Sequence, residues 1–133
     1  MSSELQAVVF DMDGVIIESE MIHYRSICEA MGENMKVPYQ VFLEQCTGSD
    51  ERFAMGRMAA FSDMFYDEEL FQEWSLRKAT AYARLISEEV SPMPGAIQLV
   101  KSVATELPIG LATGSRRSDV DAALHVLGGG CLE

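Results

Sequence analysis

The chain has little positive charge and few cysteines, and both shortages limit what it can do. Ten lysines and arginines stand against 21 aspartates and glutamates in 133 residues, which gives a formal net charge of −11. Nucleic acids and anionic membranes attract basic surfaces, so this balance argues against both as partners. Cys28, Cys46 and Cys131 are widely spaced and form neither a metal-ligand pattern nor an obvious disulfide framework. This favours a reducing compartment such as the cytoplasm.

Long apolar runs and low-complexity segments are also missing. No apolar stretch is long enough to cross a bilayer. Residues 1–6 are polar, with no basic region before an apolar run, so no secretory signal is visible. Apolar residues nevertheless make up 48% of the chain, which is enough for a folded core. We therefore expect one ordinary domain or two small lobes.

One stretch, residues 7–15, is predicted to organise the fold. Its apolar run at 7–10 is short and β-branched, and Gly14 follows soon after. This is typical of a central strand in a parallel sheet that is covered on both faces. Side chains two apart on an extended chain point the same way, so Asp11 and Asp13 should project together from the strand end. Strand ends of this kind are where open α/β sheets bind ligands.

These two carboxylates have two interpretations. They repel each other and have no basic neighbour in sequence, so a hard divalent cation such as Mg²⁺ would stabilise them. Alternatively they belong to an ordinary turn, because aspartate and glycine are common turn residues. The short motif alone leaves both interpretations open.

Residues 18–90 carry helical signals and no strand signal. Apolar residues recur at helical spacing over about 20–31, 38–46 and 50–61, and again after Asp67. The last of these stripes is expected to include Trp74, Leu76 and Tyr82. Ser19 is a candidate N-cap for the first helix. Because strand-like segments lie before and after, we predict an all-helical lobe at 18–90, inserted into an α/β core formed by 1–17 and 91–131.

A second strand signal at 109–113 ends in Thr113-Gly114-Ser115. Helical patterns precede and follow it, an order that implies a parallel sheet with crossovers. A hydroxyl and backbone N–H groups at a helix start can hold a phosphate, although an ordinary strand-to-helix cap explains the same residues. If the two strand ends meet, carboxylates for Mg²⁺ binding and for attack on phosphorus would face donors for an anion. Phosphoryl transfer through an aspartyl phosphate needs that arrangement.

The sequence Asp11-Met12-Asp13-Gly14-Val15, with Ser19-Glu20, resembles the first motif of the haloacid dehalogenase (HAD) superfamily, and 109–113 resembles the second. The helical insert is similar to the cap of the beta-phosphoglucomutase-like phosphatases, and 91–95 resembles its return hinge. The resemblance implies an α/β fold with a partial HAD-like, Rossmann-type parallel-sheet core and an inserted all-helical cap. It also implies a Mg²⁺-dependent phosphohydrolase of small phosphorylated metabolites of the sugar-phosphate type, with a hexose-phosphate mutase as the close neighbour.

The same resemblance implies roles for the strand-end residues. Asp11 would be the nucleophile and a metal ligand. Asp13 would be the general acid/base, with its backbone carbonyl on the metal. Thr113 and the turn formed by Gly114 and Ser115 would hold the phosphoryl group.

Three residues of the helical insert also match that subfamily. Gly48 stands in the loop where the cap would reach over the substrate. Lys78 would contact the substrate or the nucleophile, unless it is a plain surface lysine. His23 is either part of the site or a buried structural histidine.

The sequence departs from the family in several places. Glu18 stands where the family usually has aspartate before Ser19. No lysine follows Thr113, and no later acidic pair completes a metal shell; Arg116, Arg117, Asp119 and Asp121 fit neither role.

The end of the chain also departs from the family pattern. Gly128 to Cys131 reads as a flexible tail, and residues 132–133 resemble a cloning-site remnant. From these features we expect a truncated relative with weak or absent activity. It would alternatively act as a binding or oligomerising module, through an exposed sheet edge that promotes dimers.

Overall fold

The computed structural model describes residues 4–128. The elements, in chain order, are β1 (Val8–Phe10), β2 (Ile17–Glu18), α1 (Glu20–Met31), α2 (Tyr39–Cys46), α3 (Glu51–Phe61), α4 (Glu68–Glu89), β3 (Ser91–Pro92), α5 (Ala96–Ala104), β4 (Ile109–Leu111) and α6 (Arg117–Val126). The predicted helix at 20–31 is confirmed at both ends, and the predicted α/β class with a parallel sheet is confirmed.

The parallel sheet joins the two strands that the sequence predicts. β1 pairs with β4 so that Val8 lies opposite Ile109 and Phe10 opposite Leu111. Two further bonds extend this pairing, from the Val8 N–H to the Pro108 carbonyl and from the N–H of residue 112 to the Phe10 carbonyl. β4 ends two residues earlier than predicted, at Leu111. Parallel neighbours need a crossover connection, and α5 provides its last part before β4. Both strands therefore end at the same edge of the sheet.

Helix α4 connects two hydrophobic clusters. Its buried residues recur three or four apart, as expected for one helical face: Phe71, Trp74, Ser75, Lys78, Ala81, Tyr82, Leu85 and Ile86. Trp74 packs in a cluster with residues of α1, α2 and α3. Tyr82, Leu85 and Ile86 pack instead with residues around β1, β4 and α6. The expectation for Leu76 is wrong, because its side chain is 73% exposed. Two residues after Trp74 it lies about 200° further around the helix.

The helical stretch is slightly shorter than predicted. Ile17 and Glu18 pair with Pro92 and Ser91 in a two-residue antiparallel ribbon, β2 with β3. Glu18 is therefore in a strand and not in the helical segment, and helices occupy the interval between residues 20 and 89. A strand of two residues is too short to produce a periodic signal in the sequence.

One side of the small sheet is open. Val9 is 65% exposed, and Gly110 beside it is also exposed. Between residues 4 and 128 no helix combines the length and the apolarity that crossing a membrane requires. The expected tail at 129–131 and the remnant at 132–133 lie outside the described residues.

Candidate active site

The ends of β1 and β4 and the inner faces of α1, α3, α4 and α6 enclose a cavity of about 400 Å³. The eight residues that the sequence nominates all line it: Asp11, Asp13, His23, Gly48, Lys78, Thr113, Gly114 and Ser115. They come from five separate stretches of chain. Their meeting follows from the parallel pairing of β1 with β4 and from the position of the helices over those strand ends.

The two aspartates project into the cavity on either side of a buried anchor. Met12, between them, is fully buried in the cluster around the sheet. The alternation of an extended chain therefore directs Asp11 and Asp13 to the opposite side. Asp11 is exposed to the cavity, and its Oδ1 accepts the N–H of Met12 at 2.8 Å. Its second oxygen makes no hydrogen bond with residues 4–128, so it can meet a ligand.

Asp13 is surrounded by donors. Its Oδ1 accepts hydrogen bonds from the Ser19 hydroxyl and from His23 Nε2, the latter at 3.0 Å. Its Oδ2 accepts from Ser115 Oγ at 2.6 Å and, more weakly, from Thr113 Oγ1 at 3.5 Å. Burial by itself raises the pKa of Asp13, but the hydrogen bonds from His23, Ser115 and Ser19 outweigh it and hold this pKa well below its ordinary value. Asp13 is therefore a carboxylate across the neutral range.

The contacts of Asp13 alter the predicted role of Ser19. Ser19 occupies the N-cap position of α1, as predicted, but its side chain makes no capping hydrogen bond. The hydroxyl is instead the donor to Asp13. In a capping bond the Ser19 oxygen would accept a backbone N–H, whereas here the hydroxyl is oriented to donate to a carboxylate, and such charge-assisted bonds are favoured.

The turn after β4 is partly committed to its own shape. The N–H of Ser115 donates to Thr113 Oγ1 at 3.1 Å, which closes the turn. A side chain added at Gly114 would meet nothing within 4 Å, so the cavity is open at that point. Helix α6 begins two residues later, at Arg117. The Thr113 hydroxyl and the backbone of Gly114 remain the groups of this turn that can face an anion.

Lys78 is not a surface lysine. It is 3% exposed, and its Nζ donates to Asp119 Oδ2 at 2.5 Å and lies 3.1 Å from His23 Nδ1. Glu51 Oε1 lies 3.4 Å away. The expected contact with Asp11 is not among these partners, because the neighbouring carboxylates hold the ammonium on the other side of His23.

Several acidic and basic groups of the cavity are not among the site residues nominated from the sequence. Glu20, Asp50, Glu51, Arg116 and Asp119 also line it. Arg116 Nη1 lies 3.2 Å from Glu51 Oε2, which joins the start of α6 to α3. A signal for Asp119 existed: it lies in the first turn of α6, a few residues beyond the strand-end turn. Such a position remains close to the site whichever way the helix runs.

The cavity carries an excess of negative charge. Six carboxylates line it against two permanent cations, Lys78 and Arg116. Within the described part of the chain, no group of three or more histidine, cysteine or acidic side chains is arranged to hold a metal ion. Magnesium, however, is commonly held by one or two protein oxygens together with substrate phosphates and water. Asp11 Oδ1, which accepts the Met12 N–H, has a further lone pair, and together with the backbone carbonyl of Asp13 it fits that smaller donor set.

Comparison with known proteins gives the family. The model of haloacid dehalogenase-like hydrolases matches residues 5–132. Protein CbbY of Rhodobacter capsulatus is 29% identical over 129 residues, which cover 91% of this chain and 56% of that protein. The chain thus spans a little over half the length of this relative.

Solved structures agree in fold. A hydrolase from Pseudomonas syringae superposes with a TM-score of 0.77 at 22% identity, covering 93% of this chain and 57% of that one. CbbY from Rhodobacter sphaeroides, in complex with phosphate, gives 0.80 at 20% identity over 92% and 57%. A mutant of the same protein with xylulose 1,5-bisphosphate gives 0.80 at 18% identity, with the same coverage. The family match extends over almost the whole sequence, and β1 and β4, which carry the two motifs, both end at this cavity. The chain belongs to the haloacid dehalogenase-like hydrolase family.

Proposed function

We propose that this chain carries the nucleophile and the acid/base group of a Mg²⁺-dependent phosphohydrolase that acts through an aspartyl phosphate. The observation that carries the proposal is the contrast between two carboxylates on one strand end. Asp11 presents a free oxygen to the cavity, while Asp13 is held by four donors. A nucleophile must reach phosphorus, whereas a proton-transfer group must be oriented.

The first step would take place at Asp11. Its free carboxylate oxygen would form a bond to phosphorus while the bond from phosphorus to the ester oxygen breaks. The Thr113 hydroxyl and the Gly114 N–H would steady the phosphoryl oxygens. Mg²⁺, held by the Asp11 carboxylate and the Asp13 carbonyl, would offset the repulsion between two anions.

The second step would hydrolyse the aspartyl phosphate. Water would attack phosphorus, the bond to Asp11 would break, and Asp13 would take a proton from the water. The lowered pKa keeps Asp13 in the ionised form that can accept this proton, but it also makes Asp13 a weaker base. Protonating the leaving oxygen in the first step requires a proton on Asp13, so at least one of its hydroxyl donors, Ser19 or Ser115, must turn away at that stage.

The proposed division of labour assigns the helices to substrate recognition. Residues 18–90 would form a helical cap over a core made of 1–17 and 91–131. Gly48, His23 and Lys78 line the cavity from the helical side. The ion pairs from Lys78 to Asp119 and from Glu51 to Arg116 join the two parts.

The proposed substrate is a small phosphorylated metabolite of the sugar-phosphate type. A cavity of about 400 Å³ is at the lower end of the range for small-molecule sites. Its hydroxyl and carboxylate groups suit a polyol. The CbbY structures that hold phosphate and a sugar bisphosphate support this class. A hexose-phosphate mutase would use the same aspartyl phosphate with a second sugar phosphate, instead of water, as the acceptor.

Phosphatase assays test the proposal. The chain is incubated with p-nitrophenyl phosphate, with Mg²⁺ or with a chelator. Asp11→Asn should reduce turnover to background, and chelation should do the same. Asp121→Asn is the matched control, because it removes an exposed carboxylate whose ion pair among residues 4–128 is with Arg117 on the same helix. Turnover that persists in Asp11→Asn would refute the assignment of the nucleophile.

A second candidate is a binding or oligomerising module without catalysis. The parallel sheet favours it: among residues 4–128 this sheet has two strands, so each has an unpaired edge that can pair with another chain. Light scattering after size-exclusion chromatography distinguishes the candidates. A dimer that forms with rising concentration, together with no turnover above Asp11→Asn, supports the module. A monomer at all concentrations removes it.

A further inference from the structure

Asp119 is a buried carboxylate for which the proposed reaction has no use. It is 1% exposed and lies in the first turn of α6. Its Oδ2 accepts from Lys78 Nζ at 2.5 Å, and its Oδ1 has no hydrogen-bond partner among residues 4–128. Burying a charged group is costly unless it is paired. The position of Asp119 in the first turn of α6 does not by itself explain why a carboxylate is buried there.

Lys78 contacts both Asp119 and His23, and so connects the two side chains. Its Nζ lies 3.1 Å from His23 Nδ1. An ammonium group has donors and no acceptor, so Nδ1 must be the acceptor in this contact. The ring hydrogen is then on Nε2, which lies 3.0 Å from Asp13 Oδ1 and donates to it. Both contacts of the ring therefore require the same tautomer, in which Nδ1 accepts from Lys78 and Nε2 donates to Asp13.

Asp119 is the main counter-charge of Lys78. The other nearby carboxylate, Glu51, is 3.4 Å from Nζ and is shared with two further donors. Its Oε2 accepts from Ser75 Oγ at 2.9 Å and lies 3.2 Å from Arg116 Nη1. The ring of Tyr82, whose centroid is 4.7 Å from Nζ, adds a weaker attraction from one side. Without Asp119 the ammonium would have no partner that belongs to it alone.

We propose that Asp119 is a positioning residue, which holds the Lys78 ammonium against His23 and thereby fixes the ring tautomer that donates to Asp13. The inference rests on the proposed function only for the catalytic role of Asp13. The chain of contacts passes from α6 through α4 and α1 to the end of β1. The orientation of Asp13 therefore depends on how α1, α4 and α6 pack over the end of β1.

Nitrogen NMR of the histidine rings tests this directly. Two-dimensional spectra that correlate the carbon-bound ring protons with the ring ¹⁵N nuclei are recorded at rising alkaline pH, until the nitrogen shifts no longer change with pH. The chain has two histidines, and His125, exposed on α6, is the internal reference for a ring free to exchange tautomers. We expect His23 to show a protonated Nε2 and a bare Nδ1. A wild-type His23 with its hydrogen on Nδ1 overturns the proposal without any variant.

Two variants separate Asp119 from its neighbours. Asp119→Asn should shift both His23 nitrogens towards the two-tautomer average that His125 shows. Asp121→Asn, the same change two residues further along α6 at an exposed site, should leave His23 unchanged. An Asp119→Asn spectrum identical to wild type at His23 overturns the proposal.

A double variant guards against loss of folding. Lys78→Met with Asp119→Leu removes both buried charges together, which is tolerated better than removing one. It should give the mixed tautomers at His23, and retention of the Nε2–H form would overturn the proposal. None of these readings depends on turnover. A chain that shows the expected shifts but no phosphatase activity would reject the proposed function and uphold the role of Asp119.

Discussion

Replacing Tyr82 with phenylalanine should leave the protein as stable as before or make it more stable. Tyr82 is fully buried beneath the site, and its Oη has no hydrogen-bond partner among residues 4–128. Burial, followed by the nearby charges of Asp13, Asp119 and Glu20, raises the pKa of this hydroxyl far above its ordinary value. It therefore remains a neutral donor without an acceptor. Phenylalanine retains the ring, which packs against the His23 ring in a tilted arrangement with 4.7 Å between the centroids.

The magnitude follows from the cost of an unsatisfied polar group. A buried hydroxyl without a partner costs about 1–3 kcal/mol, so Tyr82→Phe should raise the free energy of unfolding by up to about that amount. Tyr24→Phe is the matched control, because its hydroxyl donates to the Val37 carbonyl at 2.5 Å. Removing that donor leaves the carbonyl of a buried residue without its partner, and should cost about 1 kcal/mol or more.

Thermal unfolding followed by circular dichroism measures both variants. For 133 residues, one kcal/mol corresponds to a shift in Tm of roughly 3–4 °C. We expect Tm to stay or rise for Tyr82→Phe and to fall by about that amount for Tyr24→Phe. If Tyr82→Phe lowers Tm as much as the control does, the hydroxyl of Tyr82 has a partner and the reasoning fails.

Three further predictions follow from local geometry. Folding lowers the pKa of Asp13 from 3.8, so the contribution of this carboxylate to stability is complete above that pH and is lost as the pH falls. The free energy of unfolding should therefore decrease more steeply with falling pH for wild type than for Asp13→Asn, and equal slopes would contradict this. Gly95 has φ +79°, so Gly95→Ala should cost about 1–2 kcal/mol, whereas Gly114→Ala, with no such strain, should be near neutral in urea unfolding. The Asp67 side chain caps α4 by accepting from the Leu70 N–H at 2.8 Å; Asp67→Ala should lower the unfolding free energy by about 1 kcal/mol, and an unchanged midpoint would show that the cap is dispensable.

Local features of the fold could be predicted from sequence, because the signals that produce them are local. The apolar spacing of 20–31 and the following glycine define α1 without reference to any other element. The β-branched run and the pair Asp11 and Asp13 define a strand that ends in acids. The same reasoning cannot find β2 and β3, whose two-residue pairing depends on where the chain returns after 70 residues of helix and loop.

The residues nominated from the sequence line one cavity, but their contacts could not be derived from the sequence. Parallel strands bring their ends together, so Asp13 and Thr113 had to approach each other once β1 paired with β4. That Lys78 would face Asp119 depends on the rotation of α4 against α6, and this rotation is decided by how Tyr82, Leu85 and Val120 pack in the core. The spacing of these residues along the chain does not reveal this rotation.

The amino-acid sequence by itself determined the helices, the two motif strands, the acidic balance and the residue types available for phosphoryl chemistry. The tertiary structure alone decided which of those residues became partners: that Ser19 binds Asp13 instead of capping α1, and that Lys78 is buried between Asp119 and His23. The physical reason is range. Backbone geometry and hydrophobic spacing act over a few residues, whereas the pairing of buried charges depends on the packing of helices that are distant in the chain.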